Sequence, residues 1–341
     1  MGAELNKAYS EQTPEQLLEQ RGTPRIAPTI QPADERQPER YIMMRQGPGT
    51  NPIAALRVKT DKTSGLGKAV AQNQHGTYTL MIPDYGTIGP LDKSAKQMLD
   101  ILTIALTSNG LRDPTVIIRK ADFMKLRGLK DEKEAKKIAR ANLKVIGKTQ
   151  IEWDQQNGQE VKHYAFMNIA DSGEVKRNGD IYFTFSQTFI RAALARSSAK
   201  PYMLSLLRQK REGAFAMGKK INMHKAMNQK NKGKSPDILA VKTLLDNAPD
   251  IPTYEEVMND DRHLERRIIK PFERNLDIYE EDFTWEYCHS KGVPLTKEEL
   301  EKMDYLTWEK LFVKFTWKTW PERQNEEEEE PGQPEAEEKP E

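Results

Sequence analysis

The sequence is short of the residues that usually announce chemistry. Of 341 residues one is cysteine, Cys288, which excludes an intramolecular disulfide and a cysteine-rich zinc site and fits a reducing compartment. No apolar run approaches the ~20 residues needed to cross a bilayer, and residues 1–20 lack the apolar centre of a secretory signal. A cytoplasmic chain with no membrane contact is therefore expected. The histidines, His75, His163, His224, His263 and His289, are scattered, without the His-x-His or His-Glu-x-x-His spacing of a metal site. Neither a Gly-x-x-x-x-Gly-Lys-Ser/Thr loop nor a Gly-x-Gly-x-x-Gly turn is present. Gly65-Leu66-Gly67-Lys68 has some of the composition of a phosphate loop but not its spacing. Asp171, Asp180, Asp260 and Asp261 suit turns and helix caps better than a two-metal cluster. These absences point to no catalytic residue, no cofactor and no metal, and the chain is not expected to be an enzyme.

Acidic residues are missing where basic ones crowd. Between 191 and 234 there are twelve Lys or Arg and one acid, Glu212. Ordinary surface helices mix both signs, so a block this one-sided points to a polyanionic partner; a merely solvated face is the alternative. The imbalance is hidden in a formal net charge of +1, because residues 324–341 carry nine Glu against Lys339. That acidic tail reads either as solubilising or as an internal competitor for the basic segment.

Residues 1–76 hold Pro14, Pro24, Pro28, Pro32, Pro38, Pro48 and Pro52 among many Gln, Arg and Gly. Such a composition buries too little apolar surface to offset chain entropy and reads as disordered. Residues 78–82 alternate before Pro83 and suit an edge strand. From Leu91 the pattern sharpens. Asp92 caps a helix whose apolar positions run from Met98 to Leu106 and stop at Asn109-Gly110. A strand at 116–118, a short helix at 121–127 broken by Gly128, and a second helix from Asp131 or Glu132 to Ile146 follow. Residues 149–153 and 161–169 flank Asn157-Gly158, a two-residue hairpin signal. A further strand at 180–185 follows a turn at Ser172-Gly173. Beyond 189–195 a long helix is expected over 201–227, then a basic loop at 228–235.

The plan then repeats. A helix is expected at 238–245. Thr253 caps a short helix reaching Met258, with Glu256 at the capping-box offset. Asp260 or Asp261 opens a helix carrying Leu264, Ile268, Ile269, Phe272 and Leu276 and kinked at Pro271. Strands at 283–289 and 310–320 flank an acidic insertion at 294–305. Trp285, Phe312, Phe315, Trp317 and Trp320 read as core rather than as base-stacking platforms. Paired short helices followed by a hairpin, twice over, give an α+β fold of two tandem winged-helix domains joined by a basic helix. The boundaries read 1–76 for a disordered extension, 77–200 for the first domain, 201–235 for the connecting helix and linker, 236–322 for the second domain and 323–341 for the acidic tail.

This arrangement presents the outer face of the second helix of each pair to a major groove. Over 131–146 that face carries Lys133, Lys136, Lys137, Arg140 and Lys144, suited to phosphates; ordinary solvated lysines on a packed helix are the alternative. Over 261–276 it carries Arg262, Arg266, Arg267, Lys270 and Arg274; Arg262, Arg266 and Arg267 are expected to read bases or clamp phosphates, a guanidinium being suited to bidentate contact with guanine. Lys219, Lys220 and Lys225 would add affinity independent of sequence. The expected partner is double-stranded DNA.

Three segments resemble a known family. They are 91–99, 181–194 with 202–211, and Leu264-Glu265-Arg266-Arg267-Ile268-Ile269-Lys270-Pro271-Phe272. Together they look like the tandem winged-helix replication initiator (Rep) proteins of plasmids and related mobile elements, over roughly residues 78–320. The resemblance implies binding to repeated origin sites, opening of adjacent duplex, and recruitment of a host initiator and replicative helicase in a bacterium. It also implies a switch between a self-repressing homodimer and an initiating monomer. The extension, the insertion and the tail lie outside the family pattern. A transcriptional regulator or partition-type DNA-binding protein on the same fold is the alternative.

Overall fold

The computed structural model describes residues 40–46, 59–60, 66–73, 76–83, 85–88, 90–157, 160–194, 197–231, 233–260 and 263–321, with Ala33 and Ile53 as single positions. Strands β1 (Tyr41–Arg45), β2 (Lys59–Thr60), β3 (Gly67–Asn73) and β4 (Gly76–Ile82) come first. Next are α1 (Lys93–Ser108), β5 (Thr115–Ile118), α2 (Lys120–Arg127) and α3 (Glu132–Lys148). Five strands follow: β6 (Gln150–Asn157), β7 (Glu160–Asn168), β8 (Ala170–Val175), β9 (Ile181–Phe185) and β10 (Ala199–Met203). Then come α4 (Glu212–Asn228), β11 (Ile238–Ala240), α5 (Val241–Leu245) and α6 (Tyr254–Asp260). A π-helical turn, Glu265–Ile269, runs into α7 (Lys270–Asp277), followed by β12 (Phe283–Cys288), α8 (Lys297–Glu301), α9 (Tyr305–Trp308) and β13 (Phe312–Trp317). The class is α+β, with small antiparallel sheets. No described helix is long and apolar enough to cross a membrane.

Local chemistry explains the helix boundaries. Asp92 caps α1 by accepting from the Ala95 N–H at 2.9 Å, and α2 ends at Gly128, whose φ of 64° is the left-handed conformation that glycine adopts without strain. Asp131 caps α3 by accepting from the N–H groups of Lys133 and Glu134. Thr253 and Glu256 bond reciprocally at the start of α6, the capping box expected there. Pro271 is the second residue of α7 and has no N–H to give. The backbone widens just before it, so that the Lys270 N–H reaches back to the Glu265 carbonyl, and the expected kink takes the form of a π turn.

Two sets of elements follow one plan. In α1–β5–α2–α3–β8–β9 and again in α4–β11–α5–α6–α7–β12–β13, helices precede a closing hairpin whose second strand pairs with the early strand. The sheet orders are β5-β9-β8 and β11-β13-β12. A third sheet, β2-β3-β4-β6-β7, shares no strand with either.

Several expectations are corrected by this topology. The 149–169 hairpin forms, with Asn157 opposite Glu160, but it pairs with β4 in the five-stranded sheet instead of closing the sheet of β5. The closing hairpin is β8–β9. Its turn is at 176–180, where the Lys176 N–H bonds to the Asp180 carbonyl. Ser172 and Gly173 lie within β8; a Cβ on Gly173 would sit 3.3 Å from Phe183 and 3.7 Å from Leu143, so glycine there serves packing against α3. Strand β4 lies between β3 and β6 and is no edge. Within 1–76, read as disordered, β1, β2 and β3 are strands. Tyr41, Ile42 and Met44 of β1 are buried because the strand pairs with β10, a partner too distant in sequence for local composition to reveal.

The segment 201–227 is not one helix. It is the end of β10, a 3-10 turn, Leu204–Arg208, and then α4. Likewise 238–245 divides into β11 and α5, since Ile238–Ala240 pairs with residues 312–314. Asp260 ends α6 instead of opening the next helix, and Asp261 and Arg262 lie outside the described residues.

α4, the first helix of the second set, packs against elements of both sets rather than linking them through solvent. Phe215, Met217 and Ile221 are buried. Lys219 pairs with Asp100 of α1, and the Tyr202 hydroxyl donates to the other Asp100 oxygen at 2.7 Å. Lys96 of α1 meets Glu212 at 2.7 Å. On its other side, α4 receives the Tyr279 hydroxyl, which donates to the Ala214 carbonyl at 2.7 Å. A Cβ on Gly218 would collide with the Tyr279 hydroxyl and lie 2.7 Å from Leu206. Gly218→Ala is therefore expected to lower the melting temperature, because overpacking of ~1–3 kcal/mol outweighs the gain of alanine in helix propensity. An alanine variant as stable as the parent would show that the two surfaces do not meet so closely.

Candidate nucleic-acid interface

α3 is built from the inside outward. Ala135, Ala139, Asn142, Leu143, Val145 and Ile146 are buried, which fixes the rotation of the helix and turns Lys133, Lys137, Arg140, Lys144 and Lys148 to the surface. Their spacings of four, three, four and four residues keep them on one stripe. The side chains of Lys133, Lys137, Arg140 and Lys148 have no hydrogen-bond or ion-pair partner among the described residues, and that of Lys144 reaches only the Thr87 carbonyl at 3.5 Å. Lys136 sits to the side and donates to the Arg177 carbonyl at 3.0 Å.

That last bond fixes the β8–β9 turn beside α3. Asp180 accepts from the Lys120 N–H at 2.9 Å, and Gly179, with φ of 97°, brings its backbone against the Lys120 and Lys136 side chains. The turn thereby presents exposed Arg177 next to the α3 stripe. Lys176 folds back on Glu174 at 2.8 Å and over the Tyr182 ring. Arg177 and Lys148 were missed in the sequence. The dipeptide Asn178-Gly179 is the signal that would have placed the turn correctly.

In the second set, Ile268, Phe272 and Leu276 point inward, with Phe272 edge-on to Trp308 at 5.4 Å. Arg266, Lys270 and Arg274 share the exposed face at four-residue spacing. Arg266 has no partner among the described residues. Lys270 pairs with Glu265 at 2.9 Å, and the Arg274 Nε donates to the Lys270 carbonyl at 3.1 Å. Arg267 is half-buried.

The three lysines expected on the connecting helix do not form part of such a face. Lys219 is 4% exposed and neutralised by Asp100. Lys225 pairs with Asp237 at 2.7 Å and lies over the rings of Trp317 and Trp320. Lys220 is half-buried, and burial pushes its ammonium below the usual lysine range. Within the charge block, Lys219 and Lys225 thus serve structural contacts, since α4 is enclosed on both sides. Four of the five aromatics went where expected: Phe315 is buried, and Trp285, Trp317 and Trp320 pack against the core, whereas Phe312 is half-buried and outside that cluster. Among the described residues no group of three or more His, Cys, Asp or Glu is placed to hold a metal ion.

No protein-family model matches the chain, and no curated protein matches it. Among solved structures, domains 2 and 3 of RctB overlay with a TM-score of 0.44 at 10% identity, over 79% of this chain and 98% of that one. A second structure of RctB domains 2–3 gives a TM-score of 0.35 at 13% identity, over 64% and 82%. Likenesses this loose settle neither fold nor function.

Proposed function

We propose that the chain is a sequence-specific double-stranded DNA-binding protein of two tandem winged-helix units and that it initiates replication at repeated origin sites. The observation that carries the DNA-binding reading is the α3 stripe of cations, uncompensated by carboxylates and flanked by an arginine-tipped turn. Positive side chains left without partners on a protruding helix are what phosphate contact requires. The recurrence of one strand order, first-last-middle, in both sets supports the winged-helix assignment. In this reading α3 and the Glu265–Asp277 segment enter major grooves, with Arg266 in position to read guanine. No step calls for bond chemistry by the protein. The initiator role rests on the resemblance of the sequence segments, and the host initiator and replicative helicase are the protein partners it implies.

The test is a plasmid without an origin, supplied with this coding sequence and its flanking DNA. Autonomous replication is the expected result. Repression of the gene's own promoter without replication would replace the initiator with a regulator on the same fold. An Arg266→Ala, Arg267→Ala double variant is expected to lose cognate binding far more than random-duplex binding; equal losses would remove base reading from that helix.

A further inference from the structure

A second concentration of cations lies where the two sets of elements meet, away from the outward stripe of α3. The 3-10 turn Leu204–Arg208 and the residues leading into α4 pass over the end of α2. The Arg208 side chain packs on Gly128, with its Cδ 3.6 Å from where a Cβ would stand, and its Nη2 donates to the Lys125 carbonyl at 3.2 Å. Gly128 belongs to the turn that delivers the chain to the start of α3. Lys93, at the start of α1, donates to the Lys210 carbonyl at 2.7 Å. Lys125, Arg208, Lys210 and Arg211 are exposed.

The cations here outnumber the carboxylates free to answer them. Asp92 and Asp131 are committed as helix caps, Glu132 pairs with Lys120 at 2.7 Å, and Glu212 pairs with Lys96. Glu134 is left exposed on the first turn of α3. Lys125, Lys210 and Arg211 have no side-chain hydrogen-bond or ion-pair partner among the described residues. Beneath them, Arg127 bonds Ser94 through both terminal nitrogens, while its buried Nε has no partner. Burial, and then the neighbouring Arg127 charge, pushes the Lys93 ammonium below the usual lysine range. Where cations without ion-pair partners gather in this way, the local field attracts an anion that can contact several of them at once.

We propose that this junction is a phosphate-contact site, in which Lys125, Arg208, Lys210 and Arg211 grip the duplex backbone next to the N-terminal end of α3. The inference rests on the DNA-binding reading and extends it to a surface whose role is affinity and not sequence. Each phosphate neutralised releases counterions and steepens the fall of binding with salt by about 0.9 in the log–log slope. The junction therefore contributes a measurable share of that slope, separate from α3.

The experiment measures binding of the full chain to one random-sequence duplex by fluorescence anisotropy across a potassium chloride series. Three proteins are compared: the parent, K125Q/K210Q/R211Q and K137Q/R140Q. The junction variant is expected to show a slope lower by about 2–3 and an unchanged melting temperature, with K210E/R211E as an independent second variant. A junction slope equal to the parent's, while K137Q/R140Q lowers it, overturns the junction site and leaves DNA binding by α3 intact. A parent that shows no salt-dependent duplex binding overturns both.

Discussion

Replacing Lys133, Lys137, Arg140 and Lys144 with glutamine is expected to weaken duplex binding by roughly 10²-fold or more near physiological salt and to lower the log–log salt slope by about 3–4, one step for each lost phosphate contact. The side chains are exposed, so the folded state should be unaffected to within about 0.5 kcal/mol. This separation of effects gives the prediction its force. A general loss of structure would move melting temperature and binding together, whereas loss of an interface moves binding alone. The stripe is outward because the opposite face of α3 is committed to Leu143, Val145 and Ile146 in the core, and that commitment does not depend on the charges. A quadruple variant that bound duplex as the parent does would reduce the stripe to a solvated face.

Asp100→Ala is expected to have the largest effect on stability. Asp100 is 3% exposed, Lys219 is 4% exposed, and Tyr202 is fully buried. Removing the carboxylate strands an ammonium without a counter-charge and leaves a hydroxyl without its acceptor. Breaking a buried pair from one side costs ~3–5 kcal/mol, which at ~2–4 °C per kcal/mol lowers the melting temperature by on the order of 10 °C. Asp100→Leu combined with Lys219→Met should recover most of this, because two well-packed apolar groups carry no desolvation cost. The pair joins α1 to α4, so the single change also loosens the contact between the two sets of elements. A single variant that melts with the parent would mean that Lys219 reaches water in solution.

What the sequence made legible was whatever is set by a few neighbouring residues. Asp92, Asp131 and the Thr253–Glu256 pair marked helix starts, and Gly128 marked a stop. The outward lysines of α3 followed from the apolar period on its other face. Sheet membership was not legible, since β1 finds β10 and β5 finds β9 across long stretches of chain. The same limit misplaced the closing hairpin of the first set: two turn signals, Asn157-Gly158 and Asn178-Gly179, follow α3, and only pairing with β5 distinguishes them.

The α4 lysines show a different failure. A count of charges takes no account of direction, and in α4 the direction was available from other residues. Gly213, Ala214, Ala216 and Gly218 alternate with Phe215 and Met217, a composition that suits a helix enclosed on most sides. A lysine within such a run is better matched to a buried carboxylate than to solvent, and Asp100 lies midway along α1, between the apolar pairs Met98-Leu99 and Ile101-Leu102. By contrast, the side chains of Lys133, Lys137 and Arg140 on α3, of Arg266, and of Lys125, Lys210 and Arg211 at the junction have no ion-pair partner among the described residues.

In vitro selection from a pool of random-sequence duplexes, at a salt concentration that suppresses non-specific retention, tests the central claim most directly. Recovery of one motif with two separated sub-sites, one of them lost when Arg266 is replaced by alanine, is the predicted outcome. Recovery of no motif, or of the same motif at the same affinity by a protein lacking the α3 cations, would contradict it.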